Sequence, residues 1–94
     1  MIRKIIFTKR FKRDFKRSVK QGKNEQKLLD VVALLANDVQ LAAKYRDHAL
    51  QGEFVDCREC HIEPDWLLVY RSYADGDELF LKLEATGSHS DLFE

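Results

Sequence analysis

The first forty residues show the hydrophobic spacing of one short strand followed by two helices. The strand is predicted by the apolar run that ends at Phe7, and Thr8 and Asn24 are placed to cap the helices that follow. Each helix has one apolar stripe, formed by Phe11, Phe15 and Val19 in the first and by Leu28, Val31, Val32 and Leu35 in the second. Gly22 separates the two helices, so we expect a helical hairpin.

From about residue 45 the pattern changes to the alternation of strands. A loop over 45–53 precedes predicted strands over 54–62, 66–73 and 79–86. Pro64 marks the first turn between them and Gly76 the second. The order β-α-α-β-β-β predicts an α+β fold in which the helical hairpin packs on a twisted antiparallel sheet. At 94 residues, the chain fits a single domain over 1–94.

The net charge of zero hides a strong division along the chain. Residues 1–27 carry eleven Lys and Arg but only two Asp and Glu. Residues 28–94 carry five Lys and Arg and fourteen Asp and Glu. The first segment should attract polyanions, although its cations can equally be solvated or paired with the acidic sheet. No stretch is apolar enough to cross a membrane and no secretory signal is recognisable, so a cytoplasmic location is expected.

Cys57-Arg58-Glu59-Cys60-His61 has the C-x-x-C-H spacing of a c-type haem attachment site. The string lies in an alternating strand, where Cys57 and Cys60 point to opposite faces and cannot hold one haem, one metal ion or a disulfide together. Two free thiols in a reducing compartment are the expected state.

Three histidines lie where strands end or loops begin, and these are His48, His61 and His89. With Asp65 they can line one concavity, and imidazole is the side chain best suited to proton transfer near neutral pH. Separate structural roles for each histidine remain the alternative. Metal binding by the same groups is possible, but no close ligand spacing supports it, and no cofactor is expected. The neighbouring aromatics Trp66 and Phe93 either pack in the core or stack on unpaired bases.

Three ordered motifs carry a family resemblance. They are D-H-x-L-x-G from Asp47, R-x-x-H-I-x-P-D-W-L-L-x-Y from Arg58, and T-G-S-H-x-x-L-F from Thr86. Together they resemble the YafQ branch of the RelE/ParE toxin superfamily, and the basic helical hairpin agrees with that family in order and length. The resemblance implies a toxin of a type II toxin–antitoxin system, a ribosome-dependent endoribonuclease that cuts translated mRNA without a metal.

The resemblance also implies site residues and partners. The catalytic residues would be His48, His61, Asp65 and His89, and the substrate-binding residues Trp66 and Phe93. Arg58, Arg71 and Lys82 are added as candidate substrate-binding cations, for the reason given below. Ribosomal RNA would dock on Lys12, Arg13, Lys16, Arg17 and Lys20. The partners would be the ribosome, mRNA and a DinJ-like or other RelB-type antitoxin, which we expect on the same basic helix face.

One departure and two alternatives accompany this interpretation. The family often has Arg just before the T-G pair, where this chain has Ala85, so either Arg58, Arg71 or Lys82 replaces that cation or the activity is lower than in close relatives. The alternatives are a non-catalytic ParE-like toxin that inhibits a protein target, and a plain RNA-binding module with structural histidines. The ParE branch lacks the histidine cluster, which favours the ribonuclease.

Overall fold

The computed structural model describes residues 2–93. Its main elements are β1 (Lys4–Phe7), α1 (Lys9–Lys20), α2 (Glu25–Ala36), β2 (His48–Ala49), β3 (Arg58–Glu63), β4 (Trp66–Asp75), β5 (Glu78–Gly87) and α3 (His89–Phe93). Single 3₁₀ turns lie at Ala43–Tyr45 and Gly52–Phe54. The predicted order is confirmed for β1, the two long helices and the last three strands. The short elements β2 and α3 are additions, and the strand predicted over 54–62 begins only at Arg58.

Both predicted helix caps are confirmed. The Thr8 hydroxyl accepts a hydrogen bond from the Phe11 backbone N–H at 3.0 Å, and the Asn24 side-chain oxygen accepts one from Gln26 N–H at 3.1 Å. These bonds satisfy backbone donors that the first turn of a helix leaves free. Each long helix therefore begins where the sequence predicts.

The five strands form one sheet in the order β1-β5-β4-β3-β2. The pairs among β2, β3, β4 and β5 are antiparallel, but β1 runs parallel to β5, with Ile5 opposite Leu81. The prediction of a wholly antiparallel sheet is wrong at this edge. Hairpins fix the direction of the later strands, whereas the helical hairpin separates β1 from its partner, so no local turn sets their relative direction.

The sheet divides the apolar side chains into two clusters. The larger one lies under α1 and α2 and includes Leu28, Trp66, Leu68, Leu81 and Cys60. The smaller one lies on the opposite face and consists of Cys57, Leu67, Val69, Ala85 and Leu92, with Leu50 and Phe54 packed against it. Among residues 2–93, no helix is both long and apolar enough to span a bilayer.

Cys57 and Cys60 occupy different clusters, which confirms that they point to opposite faces of the sheet. Burial raises the pKa of the Cys60 thiol to about 12 and also raises the pKa of Cys57. Both thiols are therefore poor nucleophiles and metal ligands. The geometry rules out a shared haem or disulfide at the C-x-x-C-H string.

Helix α1 buries a different face from the one its apolar residues predict. Phe11 is buried, but Phe15 is half-buried and Val19 is 41 % exposed, while Asp14 and Ser18 are buried instead. The helix is thus rotated so that a carboxylate, not the full apolar stripe, faces the sheet.

Asp14 explains that rotation. Its carboxylate accepts a hydrogen bond from Thr86 N–H at 3.3 Å in β5. Arg10 and Arg17 each approach it to 3.4 Å from the same helix. A buried carboxylate is stable only when it is paired and hydrogen-bonded in this way. Asp14 therefore links α1 to the C-terminal end of β5, next to the site described below.

Candidate active site

Three polar side chains share the sheet face opposite the long helices. Glu59 and His61 are two residues apart in β3, so they point to the same side, and His48 in β2 pairs directly with Glu59. The Glu59 Oε1 atom lies 3.4 Å from His61 Nε2 and 3.6 Å from His48 Nε2. Only 5 % of the Glu59 side chain is exposed. One buried carboxylate oxygen therefore lies between two imidazoles.

The hydrogen bond on the far side of His48 constrains where protons lie. His48 Nδ1 is 2.6 Å from the carbonyl oxygen of Arg46, and a carbonyl can only accept, so Nδ1 carries a proton. A buried carboxylate also needs a donor. A proton shared between Glu59 and a facing imidazole nitrogen meets that need. The arrangement can hold and release a proton.

Asp65 and His89 form a second proton-handling group. The Asp65 Oδ1 atom accepts hydrogen bonds from the His89 backbone N–H at 3.0 Å and from Nδ1 of its ring at 2.7 Å. These two bonds, the backbone one first, lower the pKa of Asp65 below its ordinary value. An ionised carboxylate only accepts, so Nδ1 is the donor and Nε2 of His89 is left to face the site.

The backbone that carries His89 is fixed by several contacts. Asp91 accepts a bond from Ser88 N–H at 2.9 Å, which lowers the pKa of Asp91, and Ser88 Oγ accepts one from Asp91 N–H at 3.1 Å. Arg17 donates to the carbonyl of Thr86 at 3.2 Å and lies 3.6 Å from Asp91. A Cβ at Gly87 would come within 2.9 Å of the Asp91 and Arg17 side chains, so glycine permits this close packing. The turn into α3 is therefore rigidly held.

The two groups face each other. The His61 and His89 ring centroids are 5.7 Å apart, and those of His48 and His61 are 6.3 Å apart. One ligand atom each from Glu59, His61 and His89 lies within 4.8 Å of the others, so these three side chains could also hold a transition metal ion. The structure thus brings together all four predicted catalytic residues and adds Glu59.

The two predicted aromatic contacts have different environments. Trp66 is fully buried, and its indole N–H donates to the Thr86 hydroxyl at 3.0 Å, so its ring has no free face for a base. The interpretation of Trp66 as a stacking platform is therefore wrong, because the ring forms part of the core. Phe93 is 46 % exposed, lies one turn after His89 and meets Phe54 edge-on at 5.9 Å. It remains free to contact a ligand.

The three predicted substitutes for the missing arginine lie away from the histidines. Arg58 shares a sheet face with Tyr70 under the helices and bonds Asp47 at 3.2 Å, so it is not a site cation. Arg71 and Lys82 pair across β4 and β5 on the same face of the sheet as the histidines. The smaller apolar cluster separates them from the histidines. Ala85 is buried within that cluster.

The basic residues of α1 form two separate rows. Lys12, Lys16 and Lys20 are exposed and border an apolar groove, whereas Arg10, Arg13 and Arg17 surround Asp14. Arg17 therefore stabilises the fold near α3, whereas the lysine row is exposed.

Sequence reasoning missed two residues of the site. Glu59 could have been found from its spacing, because it lies two residues before His61 in the same strand. Lys23 gives no such signal. Its Nζ atom lies 6.0 Å from the Trp66 ring, and its charge is one of the smaller factors that lower the pKa of Asp65, after the two hydrogen bonds from His89. Lys23 is thus a cation beside the Asp65–His89 pair.

Comparison with known proteins places these features in one family. The family model for YafQ, described as a bacterial toxin of type II toxin–antitoxin system, matches residues 3–94. The mRNA interferase toxin YafQ of Escherichia coli K12 is 37 % identical over 92 residues, which are 97 % of this chain and 96 % of that protein.

Solved structures agree with that assignment. YafQ in the E. coli DinJ–YafQ toxin–antitoxin complex superposes with a TM-score of 0.87 at 37 % identity, covering 100 % of both chains. A metal-bound toxin from Helicobacter pylori gives 0.86 at 45 % identity, covering 99 % of this chain and 100 % of that one. The α+β fold expected from the sequence is the fold of these toxins. The chain belongs to the YafQ family of bacterial toxins from type II toxin–antitoxin systems.

Proposed function

We propose that this mRNA interferase cuts translated mRNA at the site formed by His48, Glu59, His61, Asp65 and His89, by attack of the RNA's own 2′-hydroxyl. One observation carries the proposal: the Glu59–His61 group and the Asp65–His89 pair face one another across less than 6 Å between ring centroids. Two proton-handling groups at that separation can serve one phosphodiester.

The environments of the two groups suggest their roles. The His61 imidazole, supported by the buried carboxylate of Glu59, accepts the proton of the 2′-hydroxyl, and the 2′-oxygen then bonds to phosphorus. His89, held in place by its ring hydrogen bond to Asp65, donates a proton to the departing 5′-oxygen as the P–O bond breaks. The products are a 2′,3′-cyclic phosphate and a 5′-hydroxyl. Asp65 positions His89 and is not the base, because it accepts two hydrogen bonds from His89 and its lowered pKa makes it a weak base.

Lys23 supports the proposal where Ala85 weakens the resemblance. The reaction adds negative charge to the phosphate, and a nearby cation stabilises it. Lys23 Nζ lies 6.0 Å from the centre of the Trp66 ring and its charge helps to lower the pKa of Asp65, after the hydrogen bonds from His89, whereas Arg58, Arg71 and Lys82 are held elsewhere. Lys23 therefore supplies the positive charge that an arginine before the T-G pair would supply.

Metal is not required by this chemistry, because the 2′-hydroxyl is a nucleophile within the RNA itself. The H. pylori relative is described as metal-bound, and Glu59, His61 and His89 offer a fitting donor set here. A bound transition metal would act as a Lewis acid. It would occupy the carboxylate and imidazole atoms that the proposed proton transfers use.

The lysine row of α1 supports docking on polyanionic ribosomal RNA. Lys12, Lys16 and Lys20 are exposed on one side of the helix, without the carboxylate that neutralises the arginines around Asp14. Ribosome binding supplies the positioning of mRNA that so small a protein lacks, and the toxin works in the cytoplasm where ribosomes are.

The same row borders a groove that suits an antitoxin. Its volume is about 540 Å³, and its floor is apolar. The apolar lining residues are Phe7, Phe11, Phe15, Val19 and Leu29. An acidic amphipathic helix fits such a groove, with carboxylates meeting the lysines. The relative's complex with DinJ leads us to propose a DinJ-type antitoxin as the partner.

The function is tested by in-vitro translation followed by primer extension on the mRNA. Wild-type protein should give ribosome-dependent cuts with cyclic-phosphate ends, and folded His89→Ala protein should give none. Cuts of equal strength from a folded His89→Ala variant would overturn the site assignment. Cuts in naked mRNA at the same rate would overturn ribosome dependence.

A further inference from the structure

A cleft of about 400 Å³ opens beside the catalytic histidines, and His61 lies in its wall. The cleft runs between α2, the 3₁₀ turn Ala43–Tyr45 and the outer edge of β3. Its lining residues are Lys27, Asp30, Lys44, Tyr45, His61, Ile62, Glu63 and Pro64. The proposed proton transfers use none of them except His61. The volume falls in the range of roughly 300–1,000 Å³ that is usual for small-ligand pockets.

The charges of the cleft favour a neutral group over a phosphate. Two cations, Lys27 and Lys44, are matched by two carboxylates, Asp30 and Glu63. Lys27 Nζ lies 3.3 Å from Glu63 Oε2, so the mouth of the cleft is an ion pair and not a free cationic site. Carboxylates repel phosphate but accept hydrogen bonds from amino groups. The cleft is therefore suited to an uncharged ring that carries amino donors.

The walls of the cleft match the flat and edge surfaces of a nucleobase. Tyr45 provides a half-buried aromatic wall, and the Lys44 ammonium group lies 5.1 Å from the centre of its ring. In the described residues, β2 pairs with β3 only at Arg58 and Glu59, so no strand covers the β3 edge from Cys60 onward. Its backbone groups are additional donors and acceptors. Unstacked RNA bases are recognised in this way, against an aromatic surface and by hydrogen bonds to their edges.

From these features we infer that the cleft binds the base of a nucleotide next to the scissile phosphate and selects bases with an exocyclic amino group over uracil. Glu63 is the selecting residue, because its carboxylate accepts from an exocyclic amino group, whereas uracil presents a carbonyl oxygen at the position of that group. The sharing of His61 places this base beside the cut. The inference rests on the proposed RNA cleavage and adds sequence preference to it.

The test maps cleavage sites at nucleotide resolution on a translated mRNA library with randomised codons. Glu63→Gln is compared with Glu78→Gln, a matched control because Glu78 also pairs with a lysine, Lys4 at 3.0 Å, on the far end of the sheet. Glu63→Gln should reduce discrimination against uracil at one position beside the cut by on the order of tenfold, the worth of one charge-assisted hydrogen bond. Glu78→Gln should leave the map unchanged.

A second variant removes the aromatic ring from the wall of the cleft but keeps a side chain of similar apolar character. Tyr45→Leu retains an apolar side chain against the core, and it should lower cleavage at all sites by about tenfold because stacking depends little on sequence. Unchanged maps for Glu63→Gln, or a uniform loss at every site without a change in preference, would overturn the inference. Absence of cleavage by the wild-type protein would instead refute the proposed function.

Discussion

A single carboxylate oxygen of Asp65 accepts two hydrogen bonds from His89, one from its backbone and one from its ring. Asp65→Asn keeps the shape but removes the negative charge that faces the His89 ring. We expect cleavage to fall by about 10²-fold in kcat, with folding retained because Asp65 is largely exposed. Primer-extension rates on translated mRNA measure the loss. Asp77→Asn, an exposed control in the β4–β5 turn, should cut normally, and equal rates for both variants would contradict the role of Asp65.

The same pair predicts a pH dependence. Because the pKa of Asp65 is lowered in the folded state, its contribution to stability is present above the pKa of the unfolded chain. That contribution is lost as the pH falls through the lowered, folded-state value. An NMR titration of the His89 backbone amide should therefore show an acidic transition that is missing in Asp65→Asn. A transition of unchanged midpoint in the variant would assign it to another group.

Glu59 provides the sharpest test of the buried half of the site. Glu59→Gln keeps the side-chain volume between His48 and His61 but removes the carboxylate that supports the proposed base. We expect a loss of roughly 10²–10³-fold in kcat, with a smaller change in KM, because general base catalysis is weakened while the RNA-binding surface is retained. Glu84→Gln is the matched control, since Glu84 lies near Lys82 on the same face but beyond the apolar cluster. Full activity of Glu59→Gln would show that Glu59 only orients the histidines.

Metal ions distinguish the proposed chemistry from a metalloenzyme. EDTA should leave cleavage unchanged, whereas Cu²⁺ or Zn²⁺ should inhibit, because these ions would occupy Glu59, His61 and His89. Isothermal titration calorimetry with Zn²⁺ on wild type and on His89→Ala checks the binding site. Loss of activity in EDTA, restored by Zn²⁺, would contradict the metal-independent mechanism.

Asp14 predicts a stability effect far from any substrate. Asp14→Asn removes the charge that pairs with Arg10 and Arg17 and weakens the bond to Thr86 N–H. We expect the free energy of unfolding to fall by about 2 kcal/mol, less than for a fully buried pair because both guanidinium groups are partly exposed. Urea denaturation compares this variant with Asp77→Asn. A change below about 0.5 kcal/mol, the usual size for surface positions, would show that Asp14 does not anchor α1.

Features that depend on residues close together in the sequence were predicted correctly, and features that depend on distant residues were not. Local signals placed the caps at Thr8 and Asn24 and the turns before Trp66 and at Gly76, because each depends on a few neighbouring residues. The parallel pairing of β1 with β5 and the rotation of α1 toward Asp14 depend on residues about 70 positions away, so no local pattern revealed them. At the site, motif spacing identified the three histidines and Asp65. It could not identify Lys23, which approaches Asp65 only through the packing of the helical hairpin.

The parallel pairing of β1 with β5 has a consequence for how the toxin folds during its synthesis. Ile5 and Leu81 lie 76 positions apart, so β5, the strand that leads to His89, joins the sheet only after almost every other element has been synthesised. Contacts of such long range form late in folding. A nascent chain that has not yet released β5 from the ribosome lacks both the partner of β1 and the imidazole held by Asp65. We expect such a chain, and any fragment that ends before β5, to lack the proposed cleavage activity.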